Sequence, residues 1–213
     1  MIKISQPSTL QLLHEIRVYD LNHKLIRAYP KRPSHSFVLN FLRMMEGASN
    51  HQGYQANLYY PQLRDTSGAY FNWGTATGGQ YLSYNFWMYS MSIRAAVTND
   101  DYGILIGTGT DAPTSSDYKL QTKIIDGSGA SQMLYGNMCL GNAGVIGSNV
   151  EFTFLRPFTN VSGGTITLKE FGLATILTGS GFGAYTLLIR DVCDVPVLDD
   201  NYCVIAYSIR TTV

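Results

Sequence analysis

Hydrophobic and polar positions alternate along much of this chain, most clearly at its end. Residues 165–174 set Ile166, Leu168 and Phe171 against Thr165, Thr167 and Lys169. Residues 202–210 set Val204, Ala206 and Ser208 against Ile205, Tyr207 and Ile209. A period of two places successive side chains on opposite faces of a strand, so that one face enters a core while the other meets solvent or a partner. With the β-branched and aliphatic run at 185–192, three successive strands are predicted in 164–213, bounded by Gly, Pro or Asp turns. Towards the start, 13–19 and 24–29 read as a hairpin around Asp20, Leu21, Asn22 and His23. Pro30 and Pro33 are expected to stop its second strand. Further strands are expected at 69–72, 85–90, 91–97, 102–109 and 149–156. A hairpin-like region at 121–147 turns at Asp126-Gly127-Ser128-Gly129.

One stretch breaks this period. Phe37, Val38, Phe41, Leu42 and Met45 share a helical stripe, which predicts a short amphipathic helix near residues 36–46. Ser34 or Ser36 is the expected cap and Gly47 the expected stop, while Asn40 and Arg43 fall off the stripe. Such a helix either covers a sheet or docks against a neighbouring subunit. Roughly eight to ten short strands at even spacing give the fold class: all-β, a β-sandwich of jelly-roll-like type. The chain is read as a single domain over 1–213, with an N-terminal arm (1–12) and an aromatic-rich insertion (48–90).

Composition adds a direction. Charged residues make up only 14% of the chain, against about 25% in a typical domain. Tyr, Gly, Asn, Ser and Thr take their place, and there are 15 Tyr. Ionic side chains are costly to desolvate, so a surface poor in them suits contact with other proteins. Lys+Arg and Asp+Glu balance at 15 each; the basic footprint of a nucleic-acid binder is absent. No stretch approaches the ~20 apolar residues of a membrane helix, and residues 1–7 lack the apolar core of a secretory signal. A cytosolic site of synthesis is therefore expected, with Cys139, Cys193 and Cys203 reduced.

Candidate chemistry is sparse. His14, His23, His35 and His51 stand at no metal-ligand spacing, so no metal or cofactor is expected. Asp100-Asp101 and Asp199-Asp200 read as turns. Gly107-Thr108-Gly109-Thr110 follows a strand but lacks the Gly-Lys-Ser/Thr ending of a phosphate loop. No nucleophile elbow is present, and no catalytic residue is assigned. The insertion supplies the binding candidates: Tyr59, Tyr60, Trp73, Tyr84 and Trp87. Aromatic rings give large apolar area with few torsions to freeze and stack on sugars, so these residues suit subunit contact or sugar stacking. Lys169, Glu170, Arg190 and Asp191 lie on predicted neighbouring strands, where opposite charges can pair and fix register. The alternative for them is contact with an adjacent subunit.

The order of several motifs carries a resemblance. These are 36–41 (Ser-Phe-Val-Leu-Asn-Phe), Gly107-Thr108-Gly109 followed by Asp117-Tyr118-Lys119-Leu120, 165–173 with Lys169-Glu170-Phe171-Gly172-Leu173, and 187–192 with Arg190-Asp191 before Pro196-Val197. Over about 15–41 and 102–209 the chain resembles small virion structural proteins of tailed bacteriophages. The resemblance implies a non-enzymatic auxiliary or minor component of head, neck or tail. Its partners would be capsid, portal, neck or tail subunits and copies of itself, with no nucleic acid and no membrane. It would reside in the virion, and in the host cytoplasm during assembly. A carbohydrate-binding, host-receptor-binding module on the particle surface is the alternative.

Overall fold

A computed structural model of the chain describes residues 10–34, 36–49, 61–72, 90–179 and 182–212. The strands begin with β1 (Leu10–Asp20) and β2 (Leu25–Pro33), followed by the helix α1 (Leu39–Ser49). Short strands come next: β3 (Gln62–Arg64), β4 (Tyr70–Asn72), β5 (Ser90–Ser92), β6 (Gly103–Gly107), β7 (Leu134–Tyr135), β8 (Cys139–Leu140) and β9 (Gly144–Ile146). Four long strands close the chain: β10 (Asn149–Asn160), β11 (Ile166–Gly179), β12 (Phe182–Val197) and β13 (Asn201–Thr212).

Two antiparallel sheets face each other as a sandwich. The first has the order β2-β1-β13-β10, with β7, β8 and β9 laid along the far side of β10. The second pairs β12 with β11, and β5 and β6 share the other side of β11. β3 and β4 form a separate ribbon. The fold is all-β, as the alternation predicts, with one helix among the described residues.

The core follows from the period of two. Ile16, Val18, Phe154, Phe158, Cys203, Ile205 and Tyr207 point inward from the first sheet. Ile104, Ile106, Leu168, Phe171, Leu173, Leu187 and Ile189 are buried from the second. Each fully buried aliphatic or aromatic side chain of this size contributes about 1.5–3 kcal/mol.

The three terminal strands are present, but they do not lie in one sheet. β11 and β12 pair with each other, whereas β13 crosses over and sits between β1 and β10. Asn160 holds the crossing. Its side-chain amide donates to the Gly164 carbonyl at 2.7 Å and the Val197 carbonyl at 2.8 Å, at the exits of β10 and β12.

Other expectations need correction. β2 runs through Pro30 to Pro33. It is an edge strand, where a missing N–H goes unnoticed, and its register against β1 shifts between His14 and Ile16, absorbing Pro30 in a bulge. Ser34 and Ser36 do not cap the helix, because their hydroxyls donate to Asp191. Residues 36–38 instead extend the free side of β12: Ser36 C=O accepts the Arg190 N–H, and Val38 N–H donates to Leu188 C=O. The helix therefore starts at Leu39, and it continues past Gly47 to Ser49.

Its buried face is also rotated from the expected stripe. Asn40 and Met44 are buried while Leu42 and Met45 are exposed. Asn40 explains the rotation: it donates to Arg64 C=O at 2.8 Å and Leu187 C=O at 3.3 Å and accepts from Arg64 N–H at 3.0 Å. The strand expected over 91–97 is confined to Ser90–Ser92, and the hairpin expected over 121–147 is replaced by the three short strands on β10. β1 begins at Leu10, so residues 10–12 of the expected arm belong to the first sheet.

Candidate interaction surface

Glu170 and Arg190 meet inside the second sheet. Glu170 sits opposite Val192, and Arg190 opposite Gly172, so the two side chains are diagonal neighbours across β11 and β12. Arg190 Nε donates to Glu170 Oε2 at 2.8 Å, and both side chains are buried. The rest of the Glu170 carboxylate is taken by backbone: Gly109 N–H at 3.1 Å, Thr122 N–H at 2.7 Å and Gln121 N–H at 3.1 Å. Arg190 continues outward to Asp117 Oδ2 at 2.8 Å and the Asp111 carbonyl at 3.0 Å.

The two residues thus clamp the segment 107–122 onto the sheet. Glycine is required there: a Cβ on Gly107 or Gly109 would sit 2.6 or 2.5 Å from Glu170 Oε1. Burial disfavours the Arg190 guanidinium, but Glu170 and Asp117 more than offset this and raise its pKa above the ordinary arginine value. Burial likewise works to raise the Asp117 carboxyl, and hydrogen bonds from Thr114 and Arg190 bring it below the usual range.

Asp191 and Lys169 have other partners. Asp191 is buried, and its partners among the described residues are hydroxyls: Ser34 and Ser36 at 2.8 Å and Tyr207 at 2.8 Å. It joins β12, the 34–36 segment and β13 through three neutral donors. Burial and the adjacent Asp191 push the Tyr207 phenol well up. Nearby, His14 Nε2 accepts from Arg32 Nε at 2.8 Å, while its Nδ1 is buried with no partner among the described residues. Burial lowers the His14 pKa, against the pull of Asp191 and with the help of Arg32. Lys169 lies at the surface and pairs with Asp194 at 2.6 Å.

Sequence reasoning missed Arg156. It is fully buried on β10, and all five of its N–H donors end on backbone carbonyls. Nε reaches Gly136; Nη1 reaches Tyr102 and Ile104; Nη2 reaches Ala96 and Asn99, all between 2.6 and 3.1 Å. The guanidinium also lies 4.8 Å from the centre of the Tyr135 ring. Burial lowers its pKa to about 10, which leaves it charged at neutral pH. The signal was available: Phe152, Phe154, Arg156 and Phe158 are in phase, so an arginine takes a core position in an alternating strand.

The remaining polar candidates are also occupied. Lys123 Nζ spans Asp100 at 3.0 Å and Asp101 at 3.8 Å. No group of three His, Cys, Asp or Glu side chains that could hold a metal ion occurs among the described residues. Cys193 and Cys203 are free thiols, and burial pushes Cys193 up to about 12 and Cys203 higher.

What the described fold offers to a partner is the outer face of the first sheet. Successive rungs there are Glu15–Ala206–Leu155, Arg17–Val204–Pro157 and Tyr19–Tyr202–Thr159. Most of these side chains are half-buried. Six of these residues (Glu15, Arg17, Tyr19, Leu155, Val204 and Ala206), with Thr153, line a shallow depression of 370 Å³. Its two ionic side chains, Glu15 and Arg17, neutralise each other at 2.7 Å. At one end Tyr19 stacks on Tyr202, ring centres 5.1 Å apart, and His23 Nδ1 shares a 2.8 Å hydrogen bond with the Tyr202 hydroxyl. Tyr59, Tyr60, Trp73, Tyr84 and Trp87 lie outside the described residues. No described helix is long and apolar enough to cross a membrane. No protein-family model, characterised protein or solved structure was found to match this chain.

Proposed function

We propose that this protein is a non-enzymatic structural component of a virus particle, an auxiliary or minor subunit in the head, neck or tail of a tailed bacteriophage. It works by surface contact with capsid, portal, neck or tail subunits. One observation carries the reading: the scattered motifs behind the resemblance converge on a single buried clamp. Gly107, Gly109, Asp117, Glu170 and Arg190 are contacts of one another, which supports treating them as one structural signature. That clamp leaves contact to the outer face of the first sheet, where half-buried aliphatic and tyrosine side chains lie between the Glu15–Arg17 pair and the Lys31–Glu151–Arg210 cluster and suit a protein partner. Copy number in purified particles tests the reading. The expected result is a fixed stoichiometry by quantitative mass spectrometry; detection only in the particle-free lysate would overturn it. Tight glycan binding lost in Trp73→Ala and Trp87→Ala variants would replace it with the receptor-binding alternative.

A further inference from the structure

We propose that the edge of the first sheet built from β7, β8 and β9 joins two copies of this chain, with β9 pairing antiparallel to β9 of the second copy across a two-fold axis. Between Asp126 and Glu151 the chain has no Asp, Glu, Lys, Arg or His. This stretch supplies all three short strands along β10, so one whole edge of the sheet is uncharged. The opposite edge, β2, carries Arg27, Lys31 and Arg32 together with Pro30 and Pro33. Charges and prolines are the usual means of stopping a strand edge from pairing with another chain. The sheet protects one edge this way and leaves the other bare.

The geometry of β9 suits pairing. Gly147 and Ser148 form a two-residue loop, with Ile146 opposite Asn149 and Val145 opposite Val150. In such a hairpin the closing pair exchanges hydrogen bonds, and the next residue turns its N–H and C=O outward. Val145 is that residue. Its side chain is 76% exposed and that of Ile146 is 62% exposed. β9 has no strand on its outer side among the described residues.

The absence of charge favours a second copy as the occupant. A two-fold contact sets an edge against itself, so any net charge on it would repel its equivalent. This edge has none. Antiparallel pairing is also what a two-fold axis normal to the strand produces, and it would place Val145 opposite its own equivalent. The inference rests on the reading of the chain as an assembling subunit, but its test needs no particles.

The experiment is sedimentation velocity over a concentration series, on the wild type and on Val145→Lys, whose exposed position leaves the fold intact. The expected result is a monomer–dimer equilibrium whose dissociation constant rises at least tenfold in the variant. A second variant, Cys139→Ser with Val145→Cys, should form a disulfide-linked dimer on mild oxidation. Directly opposed residues in an antiparallel pair have Cα atoms about 5.5 Å apart, within disulfide reach. A monomeric wild type, a dimer indifferent to Val145→Lys, growth beyond the dimer, or failure to cross-link would each overturn the proposal. A monomer that still enters particles would do so while leaving the structural role standing. A Val145-dependent dimer found only outside particles would do the reverse.

Discussion

Replacing Glu170 with Gln changes almost no volume and removes one charge, yet the contacts predict a large loss of stability. The carboxylate accepts four hydrogen bonds, three from backbone amides and one from Arg190. A glutamine keeps one acceptor oxygen. If that oxygen serves Gly109 and Thr122, the new NH₂ group faces the Gln121 N–H and Arg190 Nε–H, donor against donor. Each buried donor left unsatisfied costs about 1–3 kcal/mol, and more when charged. Removing one partner of a buried ion pair costs about 3–5 kcal/mol. The expected loss is therefore about 3–5 kcal/mol, a large part of the 5–15 kcal/mol that typically holds a domain together. Urea unfolding should show a lower midpoint with an unchanged slope. Hydrogen exchange should show the amides of Gly109, Gln121 and Thr122 losing protection first. Including Arg190→Met and the double variant closes a cycle, in which the double loss should be well below the sum of the singles. A loss under about 1 kcal/mol for Glu170→Gln, or additive singles, would refute the clamp.

Two further outcomes follow from the buried charges. Arg156→Met should destabilise by about 3 kcal/mol or more, because five carbonyls lose a charged donor at once, although Ala96 C=O keeps the Asn99 N–H. Arg156→Lys should recover little of this, since its donors sit on a single nitrogen; thermal melts of both variants check it. Glu151 should make the protein acid-sensitive. Burial works to raise its carboxyl, but Lys31 at 2.5 Å and Arg210 at 2.9 Å hold it down at about 2, against the ordinary glutamate value of 4.5. A depressed folded pKa means that this contribution is complete above pH 4.5 and is lost as pH falls from there through about 2. Its ceiling is about 3 kcal/mol at 1.36 kcal/mol per pH unit, reduced because Lys31 and Arg210 are partly exposed. Denaturant midpoints measured against pH should show that slope in the wild type and a flatter one in Glu151→Gln.

The long strands were legible because their alternation is strong and their partners are equally regular. Residues 149–156 and 202–210 announce their faces, and the register of β10 on β13 runs unbroken from Asn149 to Asn160. Which sheet each strand joins was not legible: the crossing of β13 depends on Asn160 and two turns, and no periodicity encodes it. The helix was legible, but its start and its buried face were not, because hydrophobicity alone set its stripe. Asn40 is polar but finds three backbone partners, so it takes the buried position that Leu42 was expected to fill. β7, β8 and β9 are too short to carry a pattern. Of the four charges flagged on strands, Glu170 and Arg190 meet, Lys169 turns to Asp194, and Asp191 gathers hydroxyls. Opposite sign on neighbouring strands does not reveal which diagonal is closed.

The arrangement around Arg156 bears on how the chain is made. The carbonyls that it satisfies lie between 20 and 60 residues earlier in the sequence. A ribosome releases those segments well before it releases the side chain that organises them. Until then they lack those donors, so the first half of the sandwich gains little by closing early. The contacts are non-local, which slows the search and prolongs exposure of unfinished edges. Synthesis and folding are thereby separated in time: a chain truncated before Arg156 should remain soft throughout, and the full chain should set as one unit after release.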